Sequence, residues 1–250
     1  AAQRMTETTG RTATTIHRLL EVEWGEGDKP VFKRNLRNPL DCQALIIDEM
    51  SMVDIFLFSS LLDALPFGCR LIMVGDSDQL PSVSPGNVLK DLIESELLPV
   101  VQLKEIFRQS MESNIVKNAH AIVNGEYIET DNKTGDFYMM QRGFALDAVR
   151  TIRELSTTRL TNAYGFDPTL QIQVLCPSKK GETGTINLNN VLQEALNPPL
   201  PDKKEYNTGY RLFREGDKVM QIRNNYNIHW ESDDGDGDGI FNGDIGYIEV

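Results

Sequence analysis

Apolar residues in this chain gather in short runs that stop abruptly at polar turns, and between those runs they recur at helical spacing. The clearest run, 44–47, ends at two adjacent carboxylates, Asp48 and Glu49, inside the string LIIDEMSMVD. A second run, 70–74, ends in the same way at Gly75, Asp76, Asp78 and Gln79. Continuous apolar runs closed by polar residues predict strands buried on both faces, the habit of parallel sheets. Helical spacing predicts helices over 3–7, 14–21, 55–65, 87–95, 113–123, 145–155 and 186–196, with Ser51 or Asp54 available to cap the one at 55–65. Further strands are expected at 99–103, in GDFYMMQ, at 172–175, at 218–222 and as a pair across 240–250. The β-α-β-α-β order favours an α/β fold with a parallel sheet and right-handed crossovers. The pattern lapses over 157–169, where a domain boundary is expected after the helix at 145–155 closes a first region. The segment NPPLPDKKEYNTG reads as a loop.

Composition adds bounds to this picture. The chain has 250 residues, 40% of them hydrophobic and 25% charged, which is ordinary for a globular protein of one large domain or two. No apolar stretch has the length of a membrane span, and AAQRMTETTG carries no apolar leader, so no membrane partner is expected. Cys42, Cys69 and Cys176 are odd in number and lack metal-ligand spacing. They read as reduced core residues of a cytoplasmic protein. The net charge is −12, and the chain stays acidic even when Glu231, Asp233, Asp234, Asp236 and Asp238 are set aside. A polyanion would therefore have to be met by a local groove. Lys33, Arg34 and Arg37, the pair Lys179 and Lys180, and the segment 211–218 are candidate patches, with a solvated surface as the alternative for each.

Ligands of parallel α/β sheets bind beyond the carboxyl ends of the strands, where Asp48 and Glu49 fall. One carboxylate there can hold Mg²⁺ through water while its neighbour orients an attacking water, the Walker B arrangement of a nucleotide triphosphatase. If the second strand lies beside the first, Gln79 joins the carboxylates, and a neutral amide can bond both a terminal phosphate and a water. Arg108, in QLKEIFRQS, can stabilise charge on a transferring phosphoryl group, or it can pair with Glu105 or Glu112 on a helix.

LIIDEMSMVD, VGDSDQLPSVSPGNVLKDLI and LKEIFRQS with SNIVKNAHAI behind it resemble the RecD-like DNA helicases of superfamily 1, which include the alpha subunit of exodeoxyribonuclease V. AAQRMTETTGRTATTIHRLLE is similar to the family's motif Ia region, and PSKKGETGTINLNNVLQEALNP and GDKVMQIRNNY with FNGDIG to its second motor domain. The resemblance implies a P-loop NTPase (RecA-like) motor domain over 1–160. It places the start of a second over 161–216 and the start of an inserted small β module over 217–250. It implies ATP and Mg²⁺ as cofactors, with Asp48 serving the metal, Glu49 activating water, Asp76 beside the nucleotide, Gln79 reading the γ-phosphate and Arg108 contacting it. Thr15, His17, Arg18, Lys179 and Lys180 would lie near the DNA. Expected partners are single-stranded and duplex DNA and, in nuclease complexes of the family, further subunits. The implied activity is ATP-dependent translocation on single-stranded DNA with unwinding, 5′ to 3′, in recombination and repair. A conjugative relaxase motor and a non-catalytic DNA-binding module are the alternatives.

No segment reads G-x-x-x-x-G-K-[ST], which the family carries upstream of the acidic pair, and its later motifs would follow residue 250. The expectation is a segment of a longer helicase, inactive in ATP hydrolysis by itself. The run Asp234-Gly-Asp236-Gly-Asp238-Gly239 mimics the start of an EF-hand loop, but Ile245 stands where a closing glutamate belongs. It reads as a solvated loop between two strands.

Overall fold

A computed structural model describes residues 2–24, 30–103, 112–130, 135–232 and 235–249. The chain divides into two compact units, Ala1–Tyr138 and Met139–Val250. The described strands form five two-stranded ladders. No described helix is long and apolar enough to cross a membrane.

The first unit opens with α1 (Ala2–Thr9) and α2 (Ile16–Leu19), followed by the antiparallel pair β1 (Val22–Trp24) and β2 (Pro30–Phe32). Its centre is a parallel pair, β3 (Ala44–Ile47) and β4 (Arg70–Met73), in the register Ala44↔Arg70 to Ile47↔Met73. The connection is α3 (Ile55–Ala64). Asp54 starts this helix, its Oδ1 accepting the N–H of Phe56 (2.9 Å) and of Leu57 (2.8 Å). Ser51 is instead buried in a 3-10 turn, Met50–Met52, ahead of the helix. Phe58, Leu61 and Ala64 recur at helical spacing and turn inward. They meet Leu20, Leu40, Ile47, Met50 and Val53, together with Val88 and Leu89 of α4 (Val88–Glu94), in one apolar cluster. Leu61 is wholly buried there; cutting such a leucine to alanine costs about 2–5 kcal/mol.

Burial of the central strands on both faces is not what the structure shows. Leu45, Ile47, Leu71 and Met73 pack toward the cluster, whereas Ile46 (55% exposed), Ile72 (42%) and Val74 (49%) face outward. Side chains alternate along a strand, and only one face of this pair is covered among the described residues. Nor do 99–103, 137–141 or 172–175 form strands. An apolar pattern supplies a face to bury, but a ladder also needs a neighbouring backbone to pair with. The unit ends with α5 (Asn114–Asn124), capped by Ser113 and closed by Gly125 at φ 70°.

In the second unit α6 (Ala145–Glu154) runs on through a π turn, Leu155–Arg159, into α7 (Leu160–Tyr164). Helix thus continues into the stretch where the apolar pattern lapses. α6 packs against α8 (Thr185–Leu196), so the division between units falls ahead of the boundary expected at 157–169. Beyond α8 come β5 (Glu205–Asn207) paired with β6 (Leu212–Arg214), β7 (Lys218–Met220) paired with β10 (Ile245–Tyr247), and a hairpin of β8 (Asn225–Ser232) and β9 (Gly235–Ile240). From Gly235 on, the acidic run expected as a loop is strand β9. Its glycines make room for the partner strand: a Cβ on Gly237 would lie 2.5 Å from the Trp230 ring. Paired as a strand, Gly235–Ile240 does not fold as an EF-hand loop.

Candidate functional site

β3 and β4 end side by side, and their extensions stay tied together. The N–H of Val74 donates to Ile47 O (2.7 Å), and the N–H of Met50 donates to Val74 O (3.0 Å). Asp48 and Glu49 occupy the turn between these two bonds. Asp48 is exposed, and its Oδ1 accepts the Glu49 N–H at 3.0 Å. Glu49 is half-buried and left-handed, at φ 56° and ψ 43°. That conformation costs a residue with a Cβ about 1–2 kcal/mol. The buried Met50 anchors the turn that follows, and beside it Ser51 is buried with a hydroxyl that meets no described hydrogen-bond partner.

Gly75 lets the second strand end come close. A Cβ there would lie 2.9 Å from Leu89 Cδ2, 3.0 Å from the Met50 backbone nitrogen and 3.2 Å from Met50 Cβ. Asp76 follows and organises its own loop: Oδ1 accepts the Asp78 N–H (3.0 Å), and Oδ2 accepts Gln79 Nε2 (3.4 Å). The Gln79 N–H also donates to Asp76 O at 3.3 Å. The two polar turns therefore leave the same end of one parallel pair. The sequence names Gly75 only as part of the polar turn and Glu49 only as a carboxylate; the close approach at Gly75 and the left-handed backbone of Glu49 are additions of the structure.

Of the other candidate residues, Thr15, His17 and Arg18 belong to α2 and its cap in the first unit. Arg108 lies outside the described residues. The Thr15 hydroxyl caps α2 by accepting the Arg18 N–H at 3.3 Å. His17 is exposed, with its ring 6.0 Å from that of Phe32 at 51°, beside a depression of about 180 Å³ that Asp54 and Phe56 also line. Lys179 and Lys180 belong to the second unit. Their loop is fixed at the start of α8, where Ser178 O accepts the Thr185 N–H (3.1 Å) and Lys179 O the Ile186 N–H (3.2 Å). Both lysine side chains are exposed. Other basic candidates are engaged elsewhere: Lys33 pairs with Glu23 and Arg34 with Glu21, each at 2.6 Å. Arg214 is buried, bound to Glu205 (2.6 Å), Glu194 (3.4 Å) and the Asn197 carbonyl. The segment 211–218 is thus in part an internal polar junction.

Chemically, an exposed carboxylate with an oxygen to spare, a second carboxylate beside it and a tethered amide on the next strand suit a hydrated divalent cation and a phosphate chain. Asp48 offers the hard oxygen donor that Mg²⁺ prefers, in a position open to the waters that Mg²⁺ retains.

Residues 1–85 match the AAA domain family, and 188–250 match the ATP-dependent RecD-like DNA helicase SH3 domain. The chain is 34% identical over 253 residues to an ATP-dependent RecD2 DNA helicase of Deinococcus radiodurans, spanning 99% of this chain and 30% of that protein. It is 43% identical over 82 residues to the RecBCD enzyme subunit RecD of Mycobacterium tuberculosis, spanning 33% of this chain and 14% of that one. The corresponding subunit of Buchnera aphidicola is 23% identical over 284 residues, spanning 94% and 45%. The chain therefore spans less than half the length of each of these relatives. The mixed helix–strand fold and the first match define an AAA-type protein compatible with a P-loop nucleotide triphosphatase. Within that class, the chain belongs to the RecD-like helicases.

Proposed function

We propose that this chain carries part of the motor of an ATP-dependent DNA helicase that translocates 5′ to 3′ on single-stranded DNA in recombination and repair. In this reading 1–160 belong to a first RecA-like motor domain, 161–216 begin a second, and 217–250 begin an inserted small β module. One observation carries this reading: β3 and β4 pair in parallel and deliver Asp48–Glu49 and Asp76–Gln79 at the same end.

In this reading Asp48 would hold Mg²⁺, which when bound would supply charge neutralisation on the phosphates. Glu49 takes up the proton of the attacking water. Its backbone is left-handed, at the turn directly after Asp48. Asp76 holds Gln79 by its amide nitrogen, which leaves the amide oxygen to accept from that water. Arg108 meets the γ-phosphate. Thr15, His17, Arg18, Lys179 and Lys180 lie along the DNA path. Duplex DNA is the substrate unwound. The RecD subunits among the relatives make further nuclease-complex subunits the partners to seek.

The test uses the full-length protein. Glu49→Gln should bind ATP and Mg²⁺ with near-normal affinity yet lose ATP hydrolysis by about 10²–10⁴-fold, the usual worth of a positioned base. Hydrolysis within a few-fold of wild type would sink the reading.

A further inference from the structure

Cys42 and Cys69 stand at the opposite end of the same strand pair from Asp48 and Glu49. Cys42 lies just before β3 and Cys69 immediately before β4. The Arg70 N–H donates to Gln43 O at 2.9 Å, so the ladder already holds these two chain ends side by side. The Sγ atoms are 3.7 Å apart, and both residues are only partly buried. A disulfide bond is about 2.05 Å long, so the sulfurs have less than 2 Å to close. Small rotations about the side-chain bonds cover such a gap. Cys176 is in the other unit.

We propose that Cys42 and Cys69 form a redox modification site, a dithiol that a peroxide-class oxidant converts to an intramolecular disulfide at the base of β3 and β4. One thiol attacks the peroxide; the O–O bond breaks, the sulfur is oxidised to a sulfenic acid, and one water leaves. The second thiol then attacks that sulfur, the S–S bond forms, and the hydroxyl departs with the second thiol's proton as another water. Two thiols and one hydrogen peroxide give one disulfide and two waters. Burial and the contact with Cys69 push the Cys42 thiol up. Redox sensing is the usual role of disulfides in reducing compartments. The link would pin the strand starts and leave the acidic turns at the far ends in place. This inference stands independently of the nucleotide reading.

The test exposes the folded, purified full-length protein to hydrogen peroxide at a small molar excess, followed by peptide mapping. The expected result is a cross-linked Cys42–Cys69 peptide two hydrogens lighter than its reduced parts, lost on treatment with dithiothreitol. Cys176→Ser should leave its yield unchanged. Cys42→Ser and Cys69→Ser should each abolish it. Since the map of the wild-type protein reports by itself, a poorly folded variant does not weaken the test. Unlinked thiols, a link to Cys176, or a link between two molecules would overturn the proposal.

Discussion

Gly75 sits where the two strand ends come closest, and its missing side chain is what lets them meet. Its φ is not in the left-handed region, so the requirement is space and not backbone freedom. Of the atoms a Cβ would strike, Leu89 Cδ2 can rotate away, but the Met50 nitrogen at 3.0 Å belongs to the bond that ties the acidic turn to Val74. Gly75→Ala should therefore lower stability by about 1–3 kcal/mol, the usual cost of overpacking, measured by urea denaturation. It should also disturb the neighbouring Glu49, which is already held in a conformation unfavourable to any residue but glycine. A variant as stable as the wild type would show that the strand ends separate freely and that the turn is not fixed by this approach.

α5 shows how one side chain from a distant part of the chain completes a helix. Asp136 accepts the N–H of Asn114 (2.8 Å) and of Ile115 (3.2 Å) through Oδ1, and the Ser113 hydroxyl (2.5 Å) through Oδ2. Led by the Ser113 hydroxyl, these bonds hold the carboxyl below its ordinary value of 3.8. A folded-state value below the unfolded one means that the contribution is present above the unfolded value and fades as pH falls through the folded one. Melting curves from pH 7 down to 2 should show wild type above Asp136→Asn at neutral pH and the two converging in acid. Parallel curves at every pH would refute the assignment. Legibility at this scale was uneven. The helices at 55–65, 87–95, 113–123 and 186–196 were readable because apolar spacing, and at 55–65 the Asp54 cap, are local signals. The parallel pair was readable because both runs end in polar turns. The stretches 99–103 and 172–175 carry apolar residues yet form no ladder. From Gly235 the acidic run is strand, with the Trp230 ring over Gly237, a pairing that no count of carboxylates reveals.

At the scale of the whole molecule, a net charge of −12 sets what the chain can do with a polyanion. Several cations that composition offered are already committed: Lys33 to Glu23, Arg34 to Glu21, and Arg214 to the junction with Glu194 and Glu205. Lys179 and Lys180 differ, because the backbone of their loop is fixed on α8 while both side chains remain exposed. Gly184 enforces that geometry: a Cβ there would lie 2.5 Å from Lys180 O and 2.7 Å from Lys179 O. A rigid loop presenting adjacent ammonium groups loses little freedom on meeting phosphates. If the proposed helicase uses it, the double variant Lys179→Ala/Lys180→Ala of the full-length protein should bind single-stranded DNA more weakly for every base sequence. Each phosphate contact adds about 0.7 to the salt slope of single-strand binding, so the plot of log affinity against log salt should flatten by about 1.4. Fluorescence anisotropy with oligonucleotides at several salt concentrations reads both effects. An unchanged slope would mean that neither lysine meets a phosphate. The strand's path would then have to be sought on the first unit, near His17 and Arg18.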